Sequence, residues 1–168
     1  MRIELKRLHR RIKKTFVYVT HDQTSAMILG DRIAFLSGKK IQQIAPPAEL
    51  YLKPENLEVA KFLGFPPLNV LTAEEFNRLP APSPPKGTWR VGIRPEHIHI
   101  LDDAGGPFEV EWVQEVGYAR YANFKIGALS ICGKCEDRVD RAGQRIDYKF
   151  IEKYLMFFDK DQSLIHHG

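Results

Sequence analysis

Long apolar runs are missing from this 168-residue sequence. No stretch approaches the ~20 residues that span a bilayer as a helix. The basic N-terminus leads into residues 16–20, too short for the core of a secretory leader. The expected location is therefore the cytoplasm. Cysteine is scarce too: two residues, Cys132 and Cys135, exclude a disulfide framework. Their Cys-Gly-Lys-Cys spacing is half a zinc site at best, and the nearest histidines are the terminal His166-His167. The pair reads as a turn between strands, and no metal ligand is assigned.

A broadly basic surface is also lacking. The formal charge is +4, but residues 1–14 hold seven Lys/Arg against one Glu. The remaining residues hold 18 basic against 20 acidic side chains. A surface that neutralises many phosphates would spread its positive charge, so nucleic acid is not an expected partner. Trp112, Tyr118, Tyr121 and Phe124 have the chemistry to stack on bases. From Lys86 onward, however, 12 basic residues face 13 acidic ones, and the rings read as core or dimer contact.

What is present is the composition of a globular protein, 43% hydrophobic and 27% charged. Ile3, Leu5, Leu8 and Ile12 share one helical face, with basic residues on the other. A solvated outer helix is preferred here over one lying on an anionic membrane. Residues 15–20 (TFVYVT) are β-branched and aromatic with apolar side chains on both faces, the pattern of a buried parallel strand. Asp22 is an N-cap for a helix from Gln23 to about Leu29. Residues 32–36 and 40–44 read as a hairpin, and short helices follow at Pro47 and Asn56. Residues 80–87 (PAPSPPKG) hold no regular structure. Beyond them, seven short aromatic and β-branched runs separated by Gly and Asp turns suggest a small antiparallel barrel or sandwich. These runs are 89–93, 98–101, 108–116, 120–126, 129–132, 145–150 and 154–158.

Several words occur in fixed order. They are Met1-Arg2-x-Glu4-Leu5-x-x-Leu8-His9, Val17-Tyr18-Val19-Thr20-His21-Asp22-Gln23, Ala26-Met27, Asp31-Arg32-Ile33 and Pro47-x-Glu49-Leu50-Tyr51. The last is Pro54-x-Asn56-x-x-Val59-Ala60-x-Phe62-x-Gly64-x-Pro66-Pro67-x-Asn69. Together they resemble the C-terminal part of ATP-binding subunits of ABC importers of the sugar and polyamine type. Gly92-Ile93-Arg94-Pro95-Glu96-His97 is similar to the hallmark of the appended regulatory domain, an oligonucleotide-binding-type (OB-like) barrel called TOBE. The resemblance implies an α/β piece of the nucleotide-binding domain over residues 1–65, followed by a TOBE barrel over residues 66–168.

It also implies that His21 is the switch histidine, which contacts the γ-phosphate. A strand end meeting a helix start lies where ligands of open α/β sheets bind, and an imidazole can donate to a phosphate oxygen. ATP and Mg²⁺ serve the intact family protein. No Gly-x-x-x-x-Gly-Lys-Ser/Thr string is present to cradle phosphates, nor an apolar strand ending in Asp-Glu. Leu36-Ser37-Gly38 is a turn, not the family's signature sequence. The chain is expected to begin mid-fold, to bind no cofactor and hydrolyse no ATP alone, and to leave the strand at 15–20 without its neighbour.

Implied partners are a second copy, through the barrel, and the transmembrane permease subunits. An alternative is a stand-alone TOBE-type module for a small oxyanion or a regulatory partner. Two details differ from the family or invite misreading. Relatives usually carry Glu where Ser25 stands, which would complete a capping box with Asp22, so a weaker helix start is expected. Arg94 and Glu96 read as a structural corner with a surface ion pair.

Overall fold

The computed structural model describes residues 2–117 and 119–167, without the side chains of Arg2, His166 and His167. The chain divides into two compact units, Met1–Gly64 and Phe65–Gly168.

The first unit runs α1 (Arg2–Ile12), α2 (Gln23–Leu29), β1 (Ile33–Ser37), β2 (Lys40–Ala45), α3 (Pro47–Leu52) and α4 (Leu57–Phe62). β1 and β2 pair antiparallel from Ile33↔Ala45 to Ser37↔Lys40. Gly38 and Lys39 both take positive φ (56° and 63°), the turn whose twist matches a two-residue hairpin. Pro47 stands in the first turn of α3, where its missing N–H costs nothing. Asn56 caps α4 by accepting from the Val59 N–H at 3.0 Å. The side chain of Gln43 is buried, yet satisfied at both ends. It donates to the Lys53 carbonyl and accepts from the Glu55 N–H, each at 3.0 Å, pinning the chain between the two helices. A small core of Ala45, Leu50, Val59 and Leu63 collects Met27, Ile33, Phe35 and Tyr51 around it. The apolar face of α1 is not buried: Ile3, Leu5, Leu8 and Ile12 are all exposed.

The second unit begins with β3 (Asn69–Thr72), α5 (Ala73–Asn77) and β4 (Arg90–Ile93). A single 3₁₀ turn, Pro95–His97, leads to β5 (Ile98–Asp102), β6 (Phe108–Val116), β7 (Ala119–Ile126), β8 (Leu129–Cys135) and β9 (Arg145–Phe150). A second 3₁₀ turn, Glu152–Tyr154, precedes β10 (Met156–Phe158) and β11 (Leu164–His167). Strands β5-β8-β7-β6-β9 close into a five-stranded barrel, and β11-β10-β4-β3 form a separate four-stranded sheet. The barrel is compatible with an OB-like fold. It is not wholly antiparallel, because β5 runs parallel to β8.

Alternation along the barrel strands sends Ile98, Ile100, Val110, Phe124, Ile131, Ile146 and Tyr148 into one core. Gly133 lies where β5 and β8 meet. A Cβ there would stand 2.9 Å from Ile98 Cγ2 and 3.0 Å from Ile100 Cγ1, so only glycine admits the approach. Thr72 and Glu75 form a full capping box on α5, at 3.0 and 2.7 Å, and the Thr72 backbone hydrogen bond holds the Glu75 carboxyl below its ordinary range. Asn69 ties the four-stranded sheet to the barrel. Its buried amide donates to the carbonyls of Ile93 (3.2 Å) and Cys132 (2.8 Å) and accepts from the Cys132 N–H (2.8 Å).

Three expectations are corrected. Residues 15–20 form no strand, and Val17 and Val19 are 89% and 90% exposed. Among the described residues no strand pairs with this segment, and a lone strand has no ladder to satisfy its backbone. Cys132 and Cys135 lie within β8, not in a turn. Arg94 is 3% exposed, so its guanidinium is buried and does not lie on the surface.

Candidate functional site

His21 stands between segment 13–20, which has no regular secondary structure, and the first turn of α2. Short polar side chains fix the backbone on both sides of it. Asp22 has extended dihedrals, φ −85° and ψ 105°, as an N-cap requires. Its Oδ1 accepts from the Thr24 N–H at 3.0 Å, and its Oδ2 accepts from the Ser25 hydroxyl at 2.7 Å. The Asp22 N–H in turn donates to Thr20 Oγ1 at 3.0 Å.

This arrangement revises the reading of Ser25. In a capping box the third-position Glu reaches back to the N-cap N–H; here Thr20 takes that donor. Ser25, 5% exposed, instead secures the capping carboxylate. A glutamate at that position would set a second negative charge against Asp22. The helix start is braced by different residues, not left weak. At the far end of α2, Gly30 donates to the Ala26 carbonyl at 3.0 Å; at its start, Gln23 Oε1 accepts from the Gly64 N–H at 2.8 Å. The imidazole of His21 itself is exposed. The result is a held backbone presenting an accessible ring that can donate or accept a proton.

The remaining candidates belong to the second unit. Cys132 and Cys135 are each 8% exposed on β8, and burial pushes both thiols up to about 11. Cys135 belongs to the barrel core, whereas Cys132 accepts from Gln114 Nε2 at 3.8 Å on the other face. A pair three apart on a strand points to opposite faces and cannot grip one ion. Among the described residues, no group of three or more His, Cys, Asp or Glu is arranged to hold a metal. Of the aromatics, Tyr121 and Phe124 are buried and Trp112 is half-exposed; Tyr118 lies outside the described residues. Among the described residues, no helix is long and apolar enough to cross a membrane. The role of Ser25 was hidden because capping is read from the commonest residue at each position, and a hydroxyl that donates to the cap leaves no motif.

No protein-family model matches the chain. Individual proteins do. The chain is 38% identical over 163 residues to the uncharacterised ABC transporter ATP-binding protein y4oS of Sinorhizobium fredii, covering 87% of this chain and 44% of that protein. It is 35% identical to the sn-glycerol-3-phosphate import ATP-binding protein UgpC of Yersinia pestis, covering 98% of this chain and 51% of that protein. Against UgpC of Cupriavidus metallidurans the identity is 33%, with 95% and 50% covered. The chain thus spans about half the length of the curated relatives it matches. In sequence, this protein is a homologue of the C-terminal part of ABC-importer ATP-binding proteins.

Proposed function

We propose that the chain serves as the C-terminal portion of the energy-coupling subunit of an ABC importer, with His21 as the residue that senses the γ-phosphate of ATP. The supporting observation is the exposed imidazole at position 21, set directly before a helix whose start is fixed by Asp22, Thr20 and Ser25. A fixed backbone lowers the entropic cost of aiming that ring at an anion. An imidazole can donate to a phosphate oxygen and release it when the group departs.

Of this chain's residues, only His21 is assigned to the nucleotide. ATP would supply the phosphoryl group and Mg²⁺ its charge neutralisation. Both would be held by the phosphate-binding loop and acidic strand that this sequence does not contain. The second unit is read as a TOBE barrel that contacts its twin in a homodimer and sets how far the dimer opens. Closure around ATP would then shift the permease subunits between two states, a population shift driven by differential affinity. The working place is the cytoplasmic face of the membrane, peripheral to the permease.

The test is a chimera in which this chain replaces the matching C-terminal segment of Yersinia pestis UgpC. ATP hydrolysis by the chimera should fall about a hundredfold with His21→Ala, while nucleotide binding persists. Undiminished turnover in that variant would remove His21 from the role. The isolated chain should show no ATPase activity, and turnover abolished by His21→Ala in it would overturn the reading of the chain as a dependent part.

A further inference from the structure

The loop between β8 and β9 interleaves arginines with Glu136, Asp137 and Asp140, and its arginines share one cleft. Arg138 and Arg141 lie in it and Arg145 opens β9. With Gln144, Asp102 and Asp140 among the other lining residues, they surround a cleft of about 490 Å³. That is within the range of small-molecule sites, and larger than a bare ion needs.

The loop is held, not slack. Val139 is fully buried and donates to the Glu136 carbonyl at 3.1 Å. Gln144 Nε2 donates to Asp102 Oδ1 and to the Arg138 carbonyl, both at 2.8 Å, and its Oε1 accepts from the Asp140 N–H at 3.1 Å. Backbone bonds tie the loop's end to β6: Gly143 N–H to the Val110 carbonyl at 2.8 Å, and Val110 N–H to the Gln144 carbonyl at 3.0 Å. Gly143 makes the turn with φ 78°, a conformation that favours glycine.

The charges in this cleft are unequally committed. Asp102 is engaged by Gln144, and Arg145 pairs with Glu109 at 3.2 Å. Among the described residues, Arg138 and Arg141 are exposed and pair with no carboxylate. The loop backbone that carries them is braced, and a guanidinium fork matches the geometry of a phosphate group. The Asp140 carboxylate, an acceptor only, suits a hydroxyl donor beside that phosphate.

We propose that this cleft binds a small phosphate monoester carrying hydroxyl groups, with Arg138 and Arg141 on the phosphate and Asp140 on a hydroxyl, as an effector site of the barrel. The site is independent of His21, so it stands or falls apart from the coupling role.

Isothermal titration of the full chain with glucose 6-phosphate, inorganic phosphate and glucose tests it. Glucose 6-phosphate should bind tightest and glucose not at all. Arg138→Gln with Arg141→Gln should weaken glucose 6-phosphate at least about tenfold, the scale of a lost charge-assisted bond. Asp140→Asn should weaken glucose 6-phosphate and leave inorganic phosphate unchanged. Arg78→Gln, on α5, should alter neither. Saturable heat absent up to about 10 mM, or a double variant that binds as the parent does, overturns the site. Equal affinity for inorganic phosphate, an adventitious ion only, overturns the assignment of a hydroxylated ester.

Discussion

The two units spend their apolar residues in opposite ways. In the second, Ile98, Val110, Phe124, Ile131 and Ile146 are each under 3% exposed inside a barrel that closes on itself. In the first, Val17 and Val19 stand 89% and 90% exposed, and α1 turns Ile3 and Leu8 to solvent. Both regions carry strand-forming, β-branched residues. They differ in whether the described chain offers a hydrogen-bonding neighbour. A closed barrel supplies its own ladder, whereas the pattern at residues 15–20 describes an environment that the chain around it does not provide. Periodicity reports the burial a segment is built for; pairing decides whether that burial occurs.

That contrast can be broken most sharply in the barrel core. Phe124 is fully buried against Phe108 and Tyr148, with ring centroids 5.7 and 5.2 Å away. Phe124→Ala should cost about 3–5 kcal/mol in urea unfolding, enough to unfold much of the population of the second unit. A loss under about 1 kcal/mol would mean the barrel is not tightly packed.

The next effect is a pH dependence belonging to the second unit. Burial raises Cys132 and Cys135 to about 11 from an ordinary 9.0, and Tyr148 to about 12 from 10.0. Above pH 9 the unfolded chain therefore releases these protons first and the folded state binds more. Stability must fall as pH rises from 9 towards 12. The urea midpoint should decline over that window and decline less in Cys132→Ala, while a thiol reagent at pH 8 should react slowly until denaturant is added.

In the first unit the effects are smaller. Asp22→Ala removes the acceptor for Thr24 and Ser25 and should cost about 1 kcal/mol, read as lost helicity and a lower midpoint. Smallest of all, Val19→Ser in the isolated chain should change stability by no more than about 0.5 kcal/mol. A loss comparable to that of Phe124→Ala would end the contrast between the units.

Much of the fold was legible because turns in the second unit are marked by Gly and Asp between β-branched runs. The 108–116 and 145–150 strands needed no correction. Strand β8 was read too short because Gly133 sits inside it. A glycine that admits close packing against Ile98 and Ile100 looks, in sequence, like one that makes a turn. Strands β3 and β11 are four residues each, below the length at which alternation stands out. The location of His21 before a capped helix could be read from Asp22, but the exchange of duties between Thr20 and Ser25 could not. The arginine cleft escaped for a different reason: Arg138, Arg141 and Arg145 are interleaved closely in sequence with Glu136, Asp137 and Asp140, so the run 136–145 carries no net charge.

The amide of Asn69 bridges two separate backbones at once. Any excursion that separates the two sheets must break the hydrogen bonds of a buried amide to both at once. Local fraying is thereby converted into an all-or-none event. The Cys132 backbone amide should exchange its hydrogen with solvent only on the timescale of complete opening, alongside the slowest positions of the barrel.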